Sequence, residues 1–179
     1  MTTLSKRAAL AIALHEGACL EWYLDTKKVG TWGIGVTTAS GHNVERYKDK
    51  PQTLERVIEV FLWLLETKYL PDVLKAFKGR ELTEAQLAAA VSFHYNTGAI
   101  GKASWVRMFL AGDMDGAEDS FLTWRLPSEI IPRRAAEADL FFDGVWPKDI
   151  GFVTVYPVGK PSYTPLIRKG VRTDIRKML

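Results

Sequence analysis

Residues 15–36 read HEGACLEWYLDTKKVGTWGIGV, and the fold prediction starts from this stretch. The residues before it, 4–15, are rich in Ala and Leu and predict a helix that Gly17 terminates. From residue 20 to 37, aromatic and β-branched residues are interrupted by glycines, a pattern typical of short strands. The segment therefore predicts a small β-hairpin, with Lys27 and Lys28 near its turn.

Two acids flank the predicted hairpin, Glu16 before it and Asp25 near its turn, and the Thr31 hydroxyl follows. Cleavage of a glycosidic bond needs one carboxyl group that protonates the leaving oxygen and an ionised one that activates water or stabilises positive charge on the sugar. At a helix C-terminus the helix dipole disfavours the charged form of Glu16, whereas the neighbouring lysines favour an ionised Asp25. Two acids at this spacing are more often ordinary surface residues, so the pattern around them decides the interpretation.

That pattern resembles the catalytic segment of the phage T4-type lysozymes, glycoside hydrolase family 24. The matching residues are Glu16-Gly17, Tyr23, Asp25, Gly30-Thr31 and Gly33-Ile34-Gly35, with the spacing Glu-x8-Asp-x5-Thr unbroken. Further matches follow in the family's order: residues 92–98 (SFHYNTG), residues 104–112, Trp124, and Arg133-Arg134-Ala135-Ala136-Glu137 through Leu140. The resemblance covers roughly residues 4–144.

The resemblance implies an α+β fold that is mostly α, with two lobes. A small lobe at about residues 15–50 would hold the β-hairpin sheet, and a helical lobe would span about residues 71–144. A linking helix at about residues 51–70 would join them, completing a catalytic domain of residues 1–144. The local sequence also favours this linking helix, because Pro51 can open a helix and Pro71 can end one. The apolar residues between the two prolines cover most of the circumference of that helix.

Four further helices are predicted in the helical lobe. The first, residues 87–96, follows a Thr83/Gln86 capping box and ends before Gly98. The second, residues 104–112, is capped by Ser104, and the third, residues 113–124, begins at Asp113. The last helix has Pro132 in its first turn and ends at Gly144.

The resemblance also implies an activity, the inverting hydrolysis of the β-1,4 bond between N-acetylmuramic acid and N-acetylglucosamine in peptidoglycan, without a cofactor. The residue matching Glu16 would be the general acid. The residues matching Asp25 and Thr31 would activate and position the attacking water. Implied substrate-binding residues are Asn96 along the groove, Arg133 or Arg134 at a carboxylate of the peptide stem, and Trp32 at the cleft, which Trp22 and Tyr23 could also approach.

Two alternatives stay open at this point. A lytic transglycosylase needs a single acid–base residue and no attacking water, and the presence of both Asp25 and Thr31 favours hydrolysis over it. A noncatalytic peptidoglycan- or partner-binding module could keep the same fold. Two departures from the family pattern give that module some room: Val36 stands where a His is usual, and Trp32 where a smaller aliphatic residue is usual.

The net positive charge of the chain lies in residues 145–179, outside the part that resembles the family. The chain has 179 residues and a formal net charge of +3, yet residues 145–179 hold seven basic and two acidic residues, a balance of +5. Residues 1–144 are therefore at −2. This Pro-containing extension is predicted to contain a strand at 152–156 and a short cationic helix at 171–179. It could bind an anionic wall, a membrane face or nucleic acid, or wrap the catalytic domain.

The remaining expectations concern chemistry and location. Cys19, the single cysteine, is expected to be a small buried hydrophobe, and the three histidines lack metal-ligand spacing, so no metal site is predicted. The expected partner is the peptidoglycan glycan strand, with no nucleic acid, no stable membrane insertion and a monomeric state. Without an evident signal peptide, the chain is expected in the host cytoplasm until a separate membrane pore releases it to the periplasm and cell wall.

Overall fold

The computed structural model describes residues 3–179, which fold as two compact units. The first unit comprises the described residues up to Ile12 together with Leu65–Lys148. The second comprises Ala13–Leu64 together with Asp149–Leu179. Helices dominate the first unit and the strands lie in the second, so the predicted α+β class is confirmed. Within residues 3–179, each helix is too short or too polar to span a bilayer.

The second unit is built on a five-stranded sheet. Its strands are β1 (Gly17–Leu24), β2 (Gly30–Gly33), β3 (Val36–Thr37), β4 (Phe152–Val155) and β7 (Val171–Asp174), in the order β3-β2-β1-β4-β7. The same unit contains helix α2 (Leu54–Leu64) and a separate strand pair, β5 (Val158–Gly159) with β6 (Thr164–Pro165). Strands β1 and β2 pair antiparallel with Tyr23 opposite Thr31, which confirms the predicted hairpin.

The C-terminal extension supplies two of the five strands of this sheet. Strand β4 runs parallel to β1, with Gly17 opposite Thr154, and β7 runs antiparallel to β4. The strand predicted at 152–156 is present, but the predicted helix at 171–179 is wrong, because its first four residues form β7. Alternation explains the difference: Val171 and Thr173 are β-branched and share one face of the strand, a period-2 pattern that favours a strand over a helix.

Ile175 anchors the end of the extension in the core of the second unit, where its side chain is 0% exposed. We expect Ile175→Ala to lower the free energy of unfolding by about 2–5 kcal/mol, since it leaves a cavity in a packed interior. The matched control is Ile167→Ala in the same extension, where the side chain is 66% exposed and the expected change is within about 0.5 kcal/mol. Urea unfolding measures both, and equal effects would contradict the packing.

The first unit packs its helices around aromatic side chains. Its helices are α1 (Lys6–Leu14), which continues into the second unit, α3 (Leu70–Ala76), α4 (Glu84–Thr97), α5 (Ser104–Leu110), α6 (Met114–Leu122) and α7 (Ile131–Ala138). Trp105 is fully buried at the centre, with its ring centroid 4.9 Å from that of Phe121, 5.0 Å from Phe141 and 5.3 Å from Phe93. Edge-to-face pairs of this kind stabilise the unit beyond the area they bury.

The helical run that begins with α2 is longer than predicted. The chain stays helical from Leu54 through a π-helical segment, Leu65–Tyr69, and on through α3 to Ala76. Pro71 therefore lies in the first turn of α3 and does not end the run, which corrects the prediction. The π-helical segment directly before it explains how the proline is tolerated, since the wider turn interrupts the regular ladder of hydrogen bonds that a proline would break.

Most of the predicted helix ends are confirmed. The Thr83/Gln86 capping box is formed at the start of α4, and Gly98 ends that helix with a positive φ of 64°. Asp113 caps α6 by accepting from the Gly116 N–H, and Pro132 lies in the first turn of α7. The predicted cap of α5 is wrong by one residue, because the N-cap position is Ala103 and Ser104 is already helical.

Candidate active site

Glu16 lies in the short link between α1 and β1, in the second unit. Its backbone N–H donates to the Ala13 carbonyl at 3.0 Å, so the residue follows the last turn of α1 directly, and its side chain is half-buried. The next residue, Gly17, begins β1 with no room for a side chain, since an added Cβ would lie 2.5 Å from a ring carbon of Tyr156. The extension therefore packs directly beside the residue predicted to be the general acid.

Asp25 is fixed in the turn between β1 and β2. Its Oδ1 accepts hydrogen bonds from the backbone N–H groups of Lys27 and Val29, both at 2.8 Å. The turn is further closed by backbone bonds between Asp25 and both Lys28 and Val29, and Lys28 adopts a positive φ of 62°. An Asp whose carboxylate binds the amides of its own turn holds one orientation, which a group that must place a water requires.

Thr31 lies on β2, directly opposite Tyr23 of β1. Only 2% of the residue is exposed, and its hydroxyl donates to the Val29 carbonyl at 3.0 Å. A hydroxyl has one hydrogen to donate and two lone pairs that accept, so this bond orients the group and leaves acceptor capacity for a water. The carbonyl and the N–H of Val29 thus hold Thr31 and Asp25 in fixed relation.

Tyr23 is the residue that connects the three predicted catalytic positions. Burial raises the pKa of Tyr23, and the charges of Asp25 and Glu16 raise it further, while the backbone N–H of Gly35 donates to its oxygen. Its hydroxyl is therefore neutral and lies within electrostatic reach of both carboxyl groups. Tyr23 belongs to the family pattern and was predicted as one of the residues that could approach the cleft. The structure adds its position opposite Thr31.

Asn96 lies near the C-terminal end of α4 in the first unit, and it is exposed. Its Oδ1 accepts a hydrogen bond from Arg134 Nη2 at 2.7 Å. This bond fixes the amide flip, so that the NH₂ group of Asn96 is presented as a donor.

Arg134 is 1% exposed, and it is engaged on several sides. Besides Asn96 it donates to the Trp124 carbonyl at 2.8 Å and forms an ion pair with Glu137, which is also 1% exposed. Arg133 pairs with the same carboxylate at 2.8 Å and also donates to Ser92. These contacts place both arginines in a buried network around Glu137, where Arg134 has no surface to offer a ligand and instead orients Asn96.

Trp32 and Val36, the two departures from the family pattern, are both completely buried. The Trp32 ring stacks on Tyr47 with centroids 4.1 Å apart, and its Nε1 donates to the Leu20 carbonyl at 3.1 Å. Trp32 is the neighbour of Thr31 on β2, so its side chain points to the opposite face of the sheet. It is therefore a core residue of the second unit in this structure and has no surface for stacking on a sugar.

Cys19 is buried in β1, and burial, aided by the charge of Glu21, raises the pKa of its thiol to about 12. Because only the thiolate reacts, the reactive fraction at pH 8 is about 10⁻⁴. We expect native protein to show no reaction with a thiol-specific chromogenic disulfide within minutes, and one thiol per chain to react after unfolding in guanidinium chloride. Rapid labelling of the native protein would contradict the burial.

Among residues 3–179, no three His, Cys, Asp or Glu side chains cluster as metal ligands would.

Comparison with known proteins gives a family. The family model described as phage lysozyme matches residues 13–137, which is more than half of the chain. This chain belongs to the phage lysozyme family. The family prediction is therefore confirmed, as is the enzyme class, a glycoside hydrolase of the lysozyme type. No curated protein sequence gives a significant match.

Solved structures agree with the family. An endolysin from Escherichia coli O157:H7 phage FAHEc1 is 25% identical with a TM-score of 0.64, over 82% of this chain and 98% of that one. A mutant of P22 lysozyme is 25% identical with a TM-score of 0.65, over 79% and 99%. The muramidase domain of SpmX from Asticaccaulis excentricus, 22% identical with a TM-score of 0.63 over 79% and 98%, shares the fold.

Proposed function

We propose that this lysozyme-family chain is an endolysin that hydrolyses the β-1,4 bond between N-acetylmuramic acid and N-acetylglucosamine, with Glu16 as the general acid. The family supports a peptidoglycan-degrading enzyme. The observation that carries the residue assignment is the order of the three groups in the second unit. Glu16 directly precedes β1, Asp25 occupies the turn after it, and Thr31 lies on β2 opposite Tyr23. The charges of both acids help to raise the pKa of Tyr23.

In this mechanism the half-buried Glu16 carboxyl donates its proton to the leaving glycosidic oxygen. Asp25, with one carboxylate oxygen held by two turn amides, accepts a proton from the attacking water through its other oxygen. Thr31 accepts a second hydrogen bond from the same water, since its own hydrogen is committed to Val29. Water attack from the face opposite the leaving group inverts the anomeric centre.

Asn96 is the proposed substrate contact of the first unit. Its exposed amide NH₂, oriented by Arg134, can donate to an acyl or hydroxyl oxygen of the glycan. Arg134 acts through Asn96 and is a positioning residue. Arg133, with 10% of its side chain exposed, is the proposed contact for a stem carboxylate, which a guanidinium binds with two parallel hydrogen bonds.

Product analysis separates this proposal from the lytic transglycosylase. Purified protein is incubated with isolated Gram-negative sacculi, and the released muropeptides are analysed by mass spectrometry. Hydrolysis gives products that carry an added water and a reducing N-acetylmuramic acid end. Products with a 1,6-anhydro ring would overturn the roles of Asp25 and Thr31, and binding to sacculi without any release would favour the noncatalytic module.

We also propose that the enzyme acts as a monomer and reaches the wall from the host cytoplasm through a pore made by another protein. The fold supports the first part, because Glu16, Asp25 and Thr31 come from one chain and one unit. Co-expression with and without a pore-forming protein, followed by cell turbidity, tests the second part. Rapid lysis without the pore would contradict it.

A further inference from the structure

The C-terminal extension presents six consecutive exposed residues, 167–172, with the sequence IRKGVR. Two of them are aliphatic side chains in open solvent, Ile167 at 66% exposed and Val171 at 63%. Arg168 and Lys169 follow Ile167, Arg172 follows Val171, and no acidic residue occurs in the segment. We call residues 167–172 the basic–apolar segment.

The charges of the basic–apolar segment are largely uncompensated. Within residues 3–179, Arg168 and Lys169 have no carboxylate within ion-pair distance. Arg172 has one, Asp149 at 3.2 Å, but both side chains are more than half exposed, and such pairs stabilise little. The segment therefore carries a positive field outward, next to its two exposed aliphatic side chains.

An apolar cavity of about 480 Å³ lies beside the segment, within the second unit. Most of its wall is aliphatic, and Tyr156 and Thr173 also line it. The aliphatic part is formed by Leu20, Pro51, Leu54, Val155, Pro157, Val158 and Val171. Val171 belongs both to this wall and to the basic–apolar segment, so the cavity and the cationic surface are continuous. Glu21 also lines the cavity, and its charge is paired with Lys160 at 3.1 Å.

We propose that the basic–apolar segment docks on an anionic phospholipid surface. In this arrangement Arg168, Lys169 and Arg172 bind lipid phosphates. Ile167 and Val171 enter the acyl boundary, and part of an acyl chain occupies the adjacent cavity. A phospholipid is the ligand that offers an anion and an apolar chain together, which is the combination that this surface presents.

The observations favour a lipid over a glycan or a nucleic acid. Single-stranded nucleic acids and sugars are held largely by stacking on aromatic rings. The two apolar side chains of the segment are aliphatic, and Tyr156, the aromatic residue in the cavity wall, has its ring packed against the backbone at Gly17 and Gly170. An exposed Ile and Val gain nothing from a polar polymer but gain free energy on entering a bilayer interface. The proposal concerns the extension, which lies outside the residues matched by the family model, and it does not depend on the catalytic roles above.

The test is co-sedimentation of the full-length protein with phosphatidylcholine vesicles, with and without 30% phosphatidylglycerol, and in parallel with isolated sacculi. Two variants change the segment. Ile167→Ser with Val171→Ser removes apolar surface, and Arg168→Gln with Lys169→Gln removes charge. Matched controls carry the same types of substitution at exposed positions elsewhere: Leu126→Ser with Ile131→Ser, and Lys102→Gln with Arg107→Gln.

We expect binding to the phosphatidylglycerol vesicles only, weakened at high salt, and reduced about fivefold for each charge removed. The apolar variant should also lose binding, while both controls keep it. Thermal unfolding checks that every variant folds. Equal binding to both vesicle types, or unchanged binding by both segment variants, would overturn the proposal. Loss of sacculus binding in these variants with no effect on vesicles would overturn it in favour of a wall-binding surface.

Discussion

Glu16→Gln is expected to abolish clearing of chloroform-treated Gram-negative cells and to leave the fold intact. The amide has nearly the same size and can keep a hydrogen bond, but it has no proton to give to the glycosidic oxygen. Proton delivery by a positioned side chain contributes about 10²–10⁴-fold to a reaction rate. The lytic rate of Glu16→Gln should therefore be lower than that of wild type by about that factor. The initial slope of turbidity loss, compared with wild type at equal concentration, measures it.

The matched control is Glu55→Gln, in the first turn of α2 in the same unit, where the side chain is exposed. It removes the same charge from the same unit and should leave the lytic rate unchanged. Circular dichroism and a thermal unfolding curve establish that Glu16→Gln folds as wild type does. A folded Glu16→Gln protein with an undiminished lytic rate would eliminate Glu16 as the general acid.

The hairpin and the order of the catalytic residues could be predicted because their determinants are local. Strand formers, glycines and the Asp25 turn lie within about twenty residues, and the turn amides that hold Asp25 belong to the turn itself. Spacing along the chain then translates directly into position on β1 and β2. The capping residues of α4 and α6 are local in the same sense, and they were predicted correctly.

Gly17 has a second role that the neighbouring sequence does not predict. The sequence explains this glycine as the end of α1, but in the structure Tyr156 occupies the place where a side chain would lie. The backbone confirms the contact, since the Tyr156 N–H donates to the Ala18 carbonyl at 2.8 Å. This contact joins residues from opposite ends of the chain, so no pattern around residue 17 could reveal it.

The burial of the Trp32 and Arg134 side chains was not predicted for a similar reason. An aromatic ring or a guanidinium near a catalytic motif suits a glycan, and nothing in the adjacent sequence says which face it occupies. For Arg134 the face is decided by Glu137, one turn later, and by the Trp124 carbonyl in the loop after α6. Ser92 of α4 in turn binds Glu137. A charged side chain in the core needs such partners, and they become visible only once the helices are packed.

The largest stability effect is expected for Glu137→Ala, which removes the acid of that buried network. The carboxylate accepts from Arg133 Nε at 2.8 Å, from Ser92 Oγ and from Arg134 Nη1. Its loss leaves the Arg134 guanidinium in the interior without a counter-ion, and breaking a buried pair in this way costs about 3–5 kcal/mol. Chemical denaturation of Glu137→Ala measures the loss, and Glu129→Ala, at an exposed acid just before α7, should change stability by less than about 0.5 kcal/mol.

A double-mutant cycle with Arg134→Met identifies the source of that cost. If the penalty of Glu137→Ala comes from the orphaned guanidinium, removing the guanidinium as well should cost little more, because the uncompensated charge disappears with it. The coupling energy between the two positions is then about 0.5–3 kcal/mol. Strictly additive losses would show instead that each side chain stabilises the first unit through separate packing, and that Asn96 is oriented by a group independent of Glu137.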